Sequence, residues 1–367
     1  MRKKPMGLII TLAAIFIILL SLVFIIFPPS LGTVPLPTDE NGNKIKSGIA
    51  EKRFLNVDGQ DLGMIILSEN IQNPVLLICG GGPGIPEYLM EYMYPSLLYK
   101  NFTVCYADYR GTGLSFASEI RAEDMTSERY ISDVIEITKY LSKEFNQKKI
   151  YILGHSFGTY IALNTVYRYP EYFHSYIAMS QTCSQKESEY LAYDYMKEEY
   201  KKHNNKKMFQ KFEDCPIRES DEMYSRYFSS SLRDTAMHEL GVGTTRDMKS
   251  VITGIFFPSL KCKAYTWGQR INLWKGKSNS MKFPVVSDSI NFNAFETIKS
   301  LEIPVYFFSG KYDYTCNTDL QYKYYESIDS PIKEFYKFEN SAHSPIFEEP
   351  MKASKIIKEI LDSQNRN

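Results

Sequence analysis

Ser156 stands between glycines in Gly154-His155-Ser156-Phe157-Gly158. The apolar run at 150–153 reads as a buried strand, and 159–169 as a helix ended by Pro170. A G-x-S-x-G pentapeptide at a strand-to-helix turn holds the serine hydroxyl clear of the backbone, at the helix N-terminus. The glycines are required because the turn is too tight for Cβ atoms beside the serine. Outside that context the pentapeptide would be a weak signal. At neutral pH a serine hydroxyl is a poor nucleophile and needs a base within hydrogen-bond reach.

Five histidines are available. His155 lies inside the turn, and its side chain is expected to point away from the serine. His203 and His238 fall in a later insertion, and His174 precedes a strand. His343, in Asn340-Ser341-Ala342-His343-Ser344-Pro345, follows the last strand and is the candidate base; a surface-loop histidine is the competing reading. The imidazole needs a carboxylate to fix its tautomer. Asp313, in Gly310-Lys311-Tyr312-Asp313, follows a strand and gives the chain order Ser, Asp, His. Its alternative role is a helix N-cap. Glu302 and Asp329 do not stand at a strand's C-terminal end. A developing oxyanion needs two N–H donors. The Phe157 amide supplies one, and the loop Gly80-Gly81-Gly82-Pro83-Gly84 the other. That loop lacks the lysine of a phosphate-binding motif.

These residues must be positioned by a sheet. Residues 53–57 and 64–67 read as strands joined by the turn Asp58-Gly59. Residues 75–79 and 102–107 form apolar runs typical of strands covered on both faces. A helix is expected over 87–99. Residues 126–145 carry Tyr130, Val134, Ile137 and Leu141 at helical spacing. Further strands are expected at 175–179, 305–309 and 333–338, with helices at 320–328 and 348–361. The alternation predicts a parallel, doubly wound sheet. It breaks between 184 and 292, which is helical and charged at first, then irregular around Trp267 and Trp274; this reads as a cap. The expected hydrolase core is therefore 49–183 and 293–367.

The chain has 367 residues, 44% hydrophobic, with zero formal net charge, which gives no argument for a nucleic-acid partner. Gly7 to Phe27 is 21 residues without a charge. As a helix it would span about 31 Å, against a hydrocarbon core of about 30 Å. Arg2, Lys3 and Lys4 precede it in a basic stub at 1–6, and Asp39 and Glu40 lie in a Pro-rich linker at 28–48. The charge asymmetry predicts a single-pass membrane anchor with a cytoplasmic N-terminus and an extracytoplasmic remainder. A cleaved signal peptide, giving a secreted protein, is the alternative. Cys79, Cys105, Cys183, Cys215, Cys262 and Cys316 show no metal spacing. The first two read as core packing, and disulfides among the other four stay open.

Together these residues resemble the proline iminopeptidase group of α/β-hydrolases, over most of 50–183 and 300–350. Gly81-Gly82-Pro83-Gly84 matches the group's H-G-G-P-G loop, with Gly80 in place of the histidine. Asp108-Tyr109-Arg110-Gly111-Thr112-Gly113-Leu114-Ser115 is similar to its D-x-R-G-x-G-x-S motif. Gly154 to Gly158, Gly310 to Asp313 and His343-Ser344-Pro345 resemble its elbow, acid and histidine loops. The resemblance implies an α/β-hydrolase fold: a mostly parallel central sheet with helices on both faces and an inserted, mainly helical cap, here preceded by a transmembrane helix. It implies Ser156, Asp313 and His343 as triad, and Gly82 and Phe157 as oxyanion donors. It implies aminopeptidase action on short peptides through an acyl-enzyme, with no metal or cofactor. An esterase or lipase-like activity on acyl esters is the alternative; a binding protein that lost catalysis is a third reading. Asp108 and Arg110 are read as loop braces. Gly80 predicts a looser oxyanion loop without a side-chain brace. Aminopeptidases of the group bind the substrate's α-amine with acidic cap residues. No such motif is legible here: Glu187 and Glu189 read as a solvated helix face, so the substrate-binding residues stay unassigned.

Overall fold

The computed structural model describes residues 6–38, 43–45 and 47–364. Eight strands form one sheet: β1 (Ile49–Val57), β2 (Gln60–Ser68), β3 (Val75–Cys79), β4 (Thr103–Ala107), β5 (Ile150–His155), β6 (Phe173–Met179), β7 (Val305–Gly310) and β8 (Lys333–Phe338). Their order is β1-β2-β4-β3-β5-β6-β7-β8. β1 and β2 are antiparallel, as are β2 and β4; every later pair is parallel. The sheet is thus mostly parallel, with an antiparallel hairpin at one edge. That hairpin turns at Asp58 and Gly59, both at positive φ, as a two-residue turn requires.

Strand residues alternate between two cores. Val75, Leu77 and Cys79 face one apolar cluster, while Leu76 and Ile78 face the other. The first is covered by the helices Ser127–Glu144 and Phe157–Arg168, the second by Tyr88–Met93 and Pro350–Gln364. The predicted stripe Tyr130, Val134, Ile137 and Leu141 is buried, and Thr126 caps that helix by accepting from Arg129 N–H at 3.3 Å. The helix expected over 87–99 is shorter, at Tyr88–Met93, because Pro95 follows it.

Between β6 and β7 lie the helices Gln185–Lys202, Lys206–Glu213, Asp221–Phe228 and Ser231–Glu239, which share an apolar cluster around Met196, Phe212 and Tyr227. The stretch expected to be irregular is so at 240–250, but most of it is helical. Trp267 opens a helix to Ser280, started by a capping box in which Thr266 and Gln269 satisfy each other's backbone N–H groups. That signal is present in the sequence; the helix lacks an apolar stripe, which concealed it.

The expected linker is docked rather than free. Pro28 O accepts from Arg270 Nη1 at 3.0 Å, Val34 is buried, and Phe27 stacks on Phe257 with ring centroids 6.4 Å apart. Met6–Ile26 is helical. Among the described residues no helix is long and apolar enough to cross a membrane; the side chains described in that helix are those at 10–18, 21 and 26. Arg2, Lys3, Lys4, Asp39 and Glu40 lie outside the described residues. All six cysteines are free thiols.

Candidate active site

β5 delivers Ser156 to the C-terminal edge of the sheet with φ 56° and ψ −124°. For a residue with a Cβ this conformation stores on the order of 1–3 kcal/mol of strain. The surroundings enforce it. Ser156 N–H donates to Met179 O at 3.1 Å, and the hydroxyls of Thr159 and Thr182 donate to Ser156 O at 2.6 and 3.0 Å. The flanking glycines answer to close neighbours. A Cβ on Gly154 would meet Thr159 Cα at 2.7 Å, and one on Gly158 would overlap the Cys79 carbonyl oxygen.

The loop carrying His343 reaches the same edge. His343 Nδ1 lies 3.0 Å from both carboxylate oxygens of Asp313, so a proton on Nδ1 is held there and Nε2 is left to act as a base. Asp313 in turn accepts from Cys316 N–H at 2.9 Å and Gln321 Nε2 at 3.3 Å. It caps no helix: Asn317 caps Thr318–Ser327. Ser156 and His343 line one cavity of about 330 Å³ together with Gly82 and Phe157. Among the described residues no hydrogen bond joins the Ser156 hydroxyl to His343; such bonds are often long without substrate. Among the described hydrogen bonds the amides of Gly82 and Phe157 have no protein acceptor. The arrangement can therefore activate a hydroxyl and stabilise an oxyanion beside it. A larger hollow of about 840 Å³, at the opposite ends of the strands beside Pro74 and His174, contains none of these residues.

The oxyanion loop is braced, contrary to the expectation from Gly80. Gly81 N–H donates to Glu87 Oε2 at 3.0 Å, and Tyr109 OH donates to Gly80 O at 3.1 Å. Glu87 fills the room that a side chain at position 80 would take, since a Cβ there would lie 3.0 Å from Glu87 Cβ. The other Glu87 oxygen lies 2.7 Å from His155 Nδ1, and His155 Nε2 lies 2.9 Å from His343 O. Burial alone favours the neutral ring of His155. The Glu87 carboxylate and the hydrogen bonds outweigh it, and the pKa lies above the ordinary imidazole value. Glu87 was missed because the pairing spans 68 residues and no local pattern announces it.

Glu348 is the second missed residue. One of its oxygens accepts from the amides of Ala342 (2.9 Å) and Ser344 (3.1 Å), on either side of His343. Arg110 pairs with Asp133, with contacts of 2.6 and 2.8 Å, while Asp108 accepts from Leu114 N–H at 2.7 Å. Both brace loops, through separate partners.

One expectation on the helix Gln185–Lys202 is overturned. Glu187 is exposed, but Glu189 is 0% exposed, so it is no part of a solvated face. Its carboxylate is forked by Arg233, with Nε at 2.7 Å, and accepts from Gln185 Nε2 at 2.9 Å. Arg233 and Gln185 line the cavity of Ser156 in front of it. The reversal comes from Arg233, 44 residues away, which makes burial of the charge tolerable.

With this geometry in hand, comparison with known proteins is decisive. A family model described as the alpha/beta hydrolase fold matches residues 74–350. The chain belongs to the α/β-hydrolase family. This hydrolase is 31% identical over 307 residues to the "Probable aminopeptidase YbaC" of Bacillus subtilis (strain 168), covering 83% of the chain and 94% of that protein. It is 25% identical over 315 residues to a proline iminopeptidase of Heyndrickxia coagulans, covering 84% and 98%. The crystal structure of a proline iminopeptidase from Mycobacterium smegmatis superposes with a TM-score of 0.61 at 13% identity, covering 86% of the hydrolase and 98% of that chain. That last likeness concerns the fold.

Proposed function

We propose that this α/β-hydrolase is a serine hydrolase of the aminopeptidase kind. Ser156 attacks a carbonyl, His343 takes and returns the proton, Asp313 holds His343, and Gly82 and Phe157 stabilise the oxyanion. An acyl-enzyme forms and water releases it. The observation that carries this reading is the strained Ser156 opening onto the same cavity as the Asp313-bound His343. The aminopeptidase part rests on the names of the two relatives. Helices within 184–292 serve as a cap that shapes the substrate side of the cavity. We also read Gly7 to Phe27 as a membrane anchor, on its 21 uncharged residues and the basic residues before it, with the catalytic part extracytoplasmic.

One observation favours a second reading, an esterase of acyl substrates. Arg233 covers the buried carboxylate of Glu189, which an α-amine would otherwise use. The test compares prolyl and alanyl anilides, free or blocked at the amine, with short acyl esters. It uses the detergent-solubilised full chain, with Ser156→Ala and His343→Ala as controls. Serine-dependent cleavage of free-amine anilides, lost on blocking, supports the aminopeptidase; cleavage of esters alone overturns it in favour of the esterase. No serine-dependent turnover of either, together with no labelling of Ser156 by a fluorophosphonate, would leave a binding protein.

A further inference from the structure

The cavity around Ser156 holds a cation without a counter-ion. Lys277, on the helix Trp267–Ser280, lines it. Its ammonium donates to Pro83 O at 3.0 Å and approaches Met281 Sδ at 3.5 Å, and among the described residues no carboxylate pairs with it. An ammonium has three donors, so one carbonyl and one weak thioether acceptor leave capacity unused. Burial draws the lysine's pKa down to about 8, which still leaves most of it charged at neutral pH.

The neighbouring acids are already engaged. Glu87 is closed by His155 and Gly81 N–H, and Glu189 by Arg233 and Gln185. Arg233 also lines the cavity, but its charge is matched by Glu189. Apart from the Asp313 carboxylate behind His343, the uncompensated charge lining the cavity is that of Lys277, and a half-buried ammonium without a counter-ion gains from an anion. Position narrows the choice further. Pro83 directly follows Gly82, so the ammonium holds the residue next to the proposed oxyanion donor, in the cavity that Ser156 lines. A cavity of about 330 Å³ is at the small end of small-ligand sites, so carbonyl and anion must belong to one short molecule.

We propose that Lys277 binds a carboxylate of the substrate, which makes the site selective for short peptides with a free C-terminus. This deepens the aminopeptidase reading and rests on it. A carboxylate could also come from an acidic side chain, and Lys277 could instead act only with Ser280, whose hydroxyl donates to the same Pro83 O at 3.1 Å, to hold the loop.

The experiment measures kcat and KM of the full chain for Pro-Ala, Pro-Ala-amide and Pro-Asp-amide, in wild type, Lys277→Met and Lys277→Arg. Pro-Ala should exceed its amide on the order of tenfold in kcat/KM, mainly through KM, as a charge-assisted hydrogen bond would give. Lys277→Met should erase that preference and Lys277→Arg should keep part of it. A preference for Pro-Asp-amide over Pro-Ala would move the source to a side chain and overturn the free-C-terminus proposal. Equal use of acid and amide by wild type overturns it too, as does a Lys277→Met variant that lowers kcat equally for both, which marks a loop-positioning role. Protection of Ser156 from a fluorophosphonate by Pro-Ala against Pro-Ala-amide reads binding without turnover. If neither peptide is cleaved yet only the free acid protects in a Lys277-dependent manner, the aminopeptidase reading fails while carboxylate recognition stands; equal protection by both overturns the recognition.

Discussion

His155 and Glu87 meet at 2.7 Å, while the second ring nitrogen of His155 lies 2.9 Å from the carbonyl of His343. Both nitrogens of one buried imidazole thus face acceptors, and a neutral ring has a single N–H to offer. An imidazolium beside a carboxylate satisfies every contact. This pair ties the elbow, the oxyanion loop through Gly81 N–H, and the histidine loop into one unit.

Removing its charge should cost activity before it costs the fold. Glu87→Gln is expected to lower kcat on the order of tenfold to a hundredfold with KM nearly unchanged, as displaced oxyanion donors do. Glu87→Ala leaves His155 Nδ1 and Gly81 N–H without partners and should destabilise by about 1–3 kcal/mol for each. Steady-state kinetics and thermal unfolding of the two variants check this; a Gln variant with wild-type kcat would refute the coupling.

Two glycines should respond in opposite ways to alanine. A Cβ at Gly158 would overlap Cys79 O, a backbone atom of a central strand that cannot move aside. Gly158→Ala should yield no folded protein. Gly59, at φ 79° in the hairpin turn, has nothing within 4 Å of a Cβ. Gly59→Ala should cost only the positive-φ penalty, about 1–2 kcal/mol. Expression yield and melting temperature distinguish the two; comparable stability would contradict the packing.

What the sequence disclosed was local. The elbow, the two-face strands and the stripe of Ser127–Glu144 each announce themselves within about a dozen residues, through glycine spacing or periodicity. Asp313 and His343 were placed by their positions after β7 and β8. What stayed hidden depends on partners far along the chain. Glu87 looks like any loop acid until His155 stands beside it, and Glu189 reads as solvated until Arg233 covers it. Lys277 lies in a helix whose mixed face hides its contact with Pro83. Between β6 and β7 no strand–helix alternation constrains the sequence, so no fold-level pattern announces which of its residues line the cavity.

The histidine loop carries a pH dependence of its own. Burial raises the Glu348 carboxyl to about 7 despite three backbone N–H donors, from Arg246, Ala342 and Ser344. Its folded pKa lies above its unfolded value, so its stabilisation is full below about 4.5 and is lost as pH rises through about 7. Glu348→Gln does not titrate. The melting temperature of the variant minus that of wild type should therefore grow more positive from pH 4.5 to 7 and then level off. Asp108 and Glu91, also raised to about 7 by burial, cancel in that difference. A flat difference would refute the assignment.

The Arg233–Glu189 pair sets a matched charge pair into the wall of the cavity. Arg233→Met alone strands a fully buried carboxylate and should destabilise by about 3–5 kcal/mol. Glu189→Gln alone leaves a cation facing the cavity, where solvent reaches it, and should cost less. The double variant removes both charges and should recover part of the loss, giving a coupling energy of about 1–3 kcal/mol in a mutant cycle. The same variants read function. With Arg233 gone, Glu189 is released to a free α-amine, so Arg233→Met should improve KM for free-amine anilides relative to blocked ones, and the double variant should not. If Arg233→Met instead loses free-amine and blocked substrates alike, Arg233 serves the structure of the wall, and amine selection lies elsewhere in the cavity.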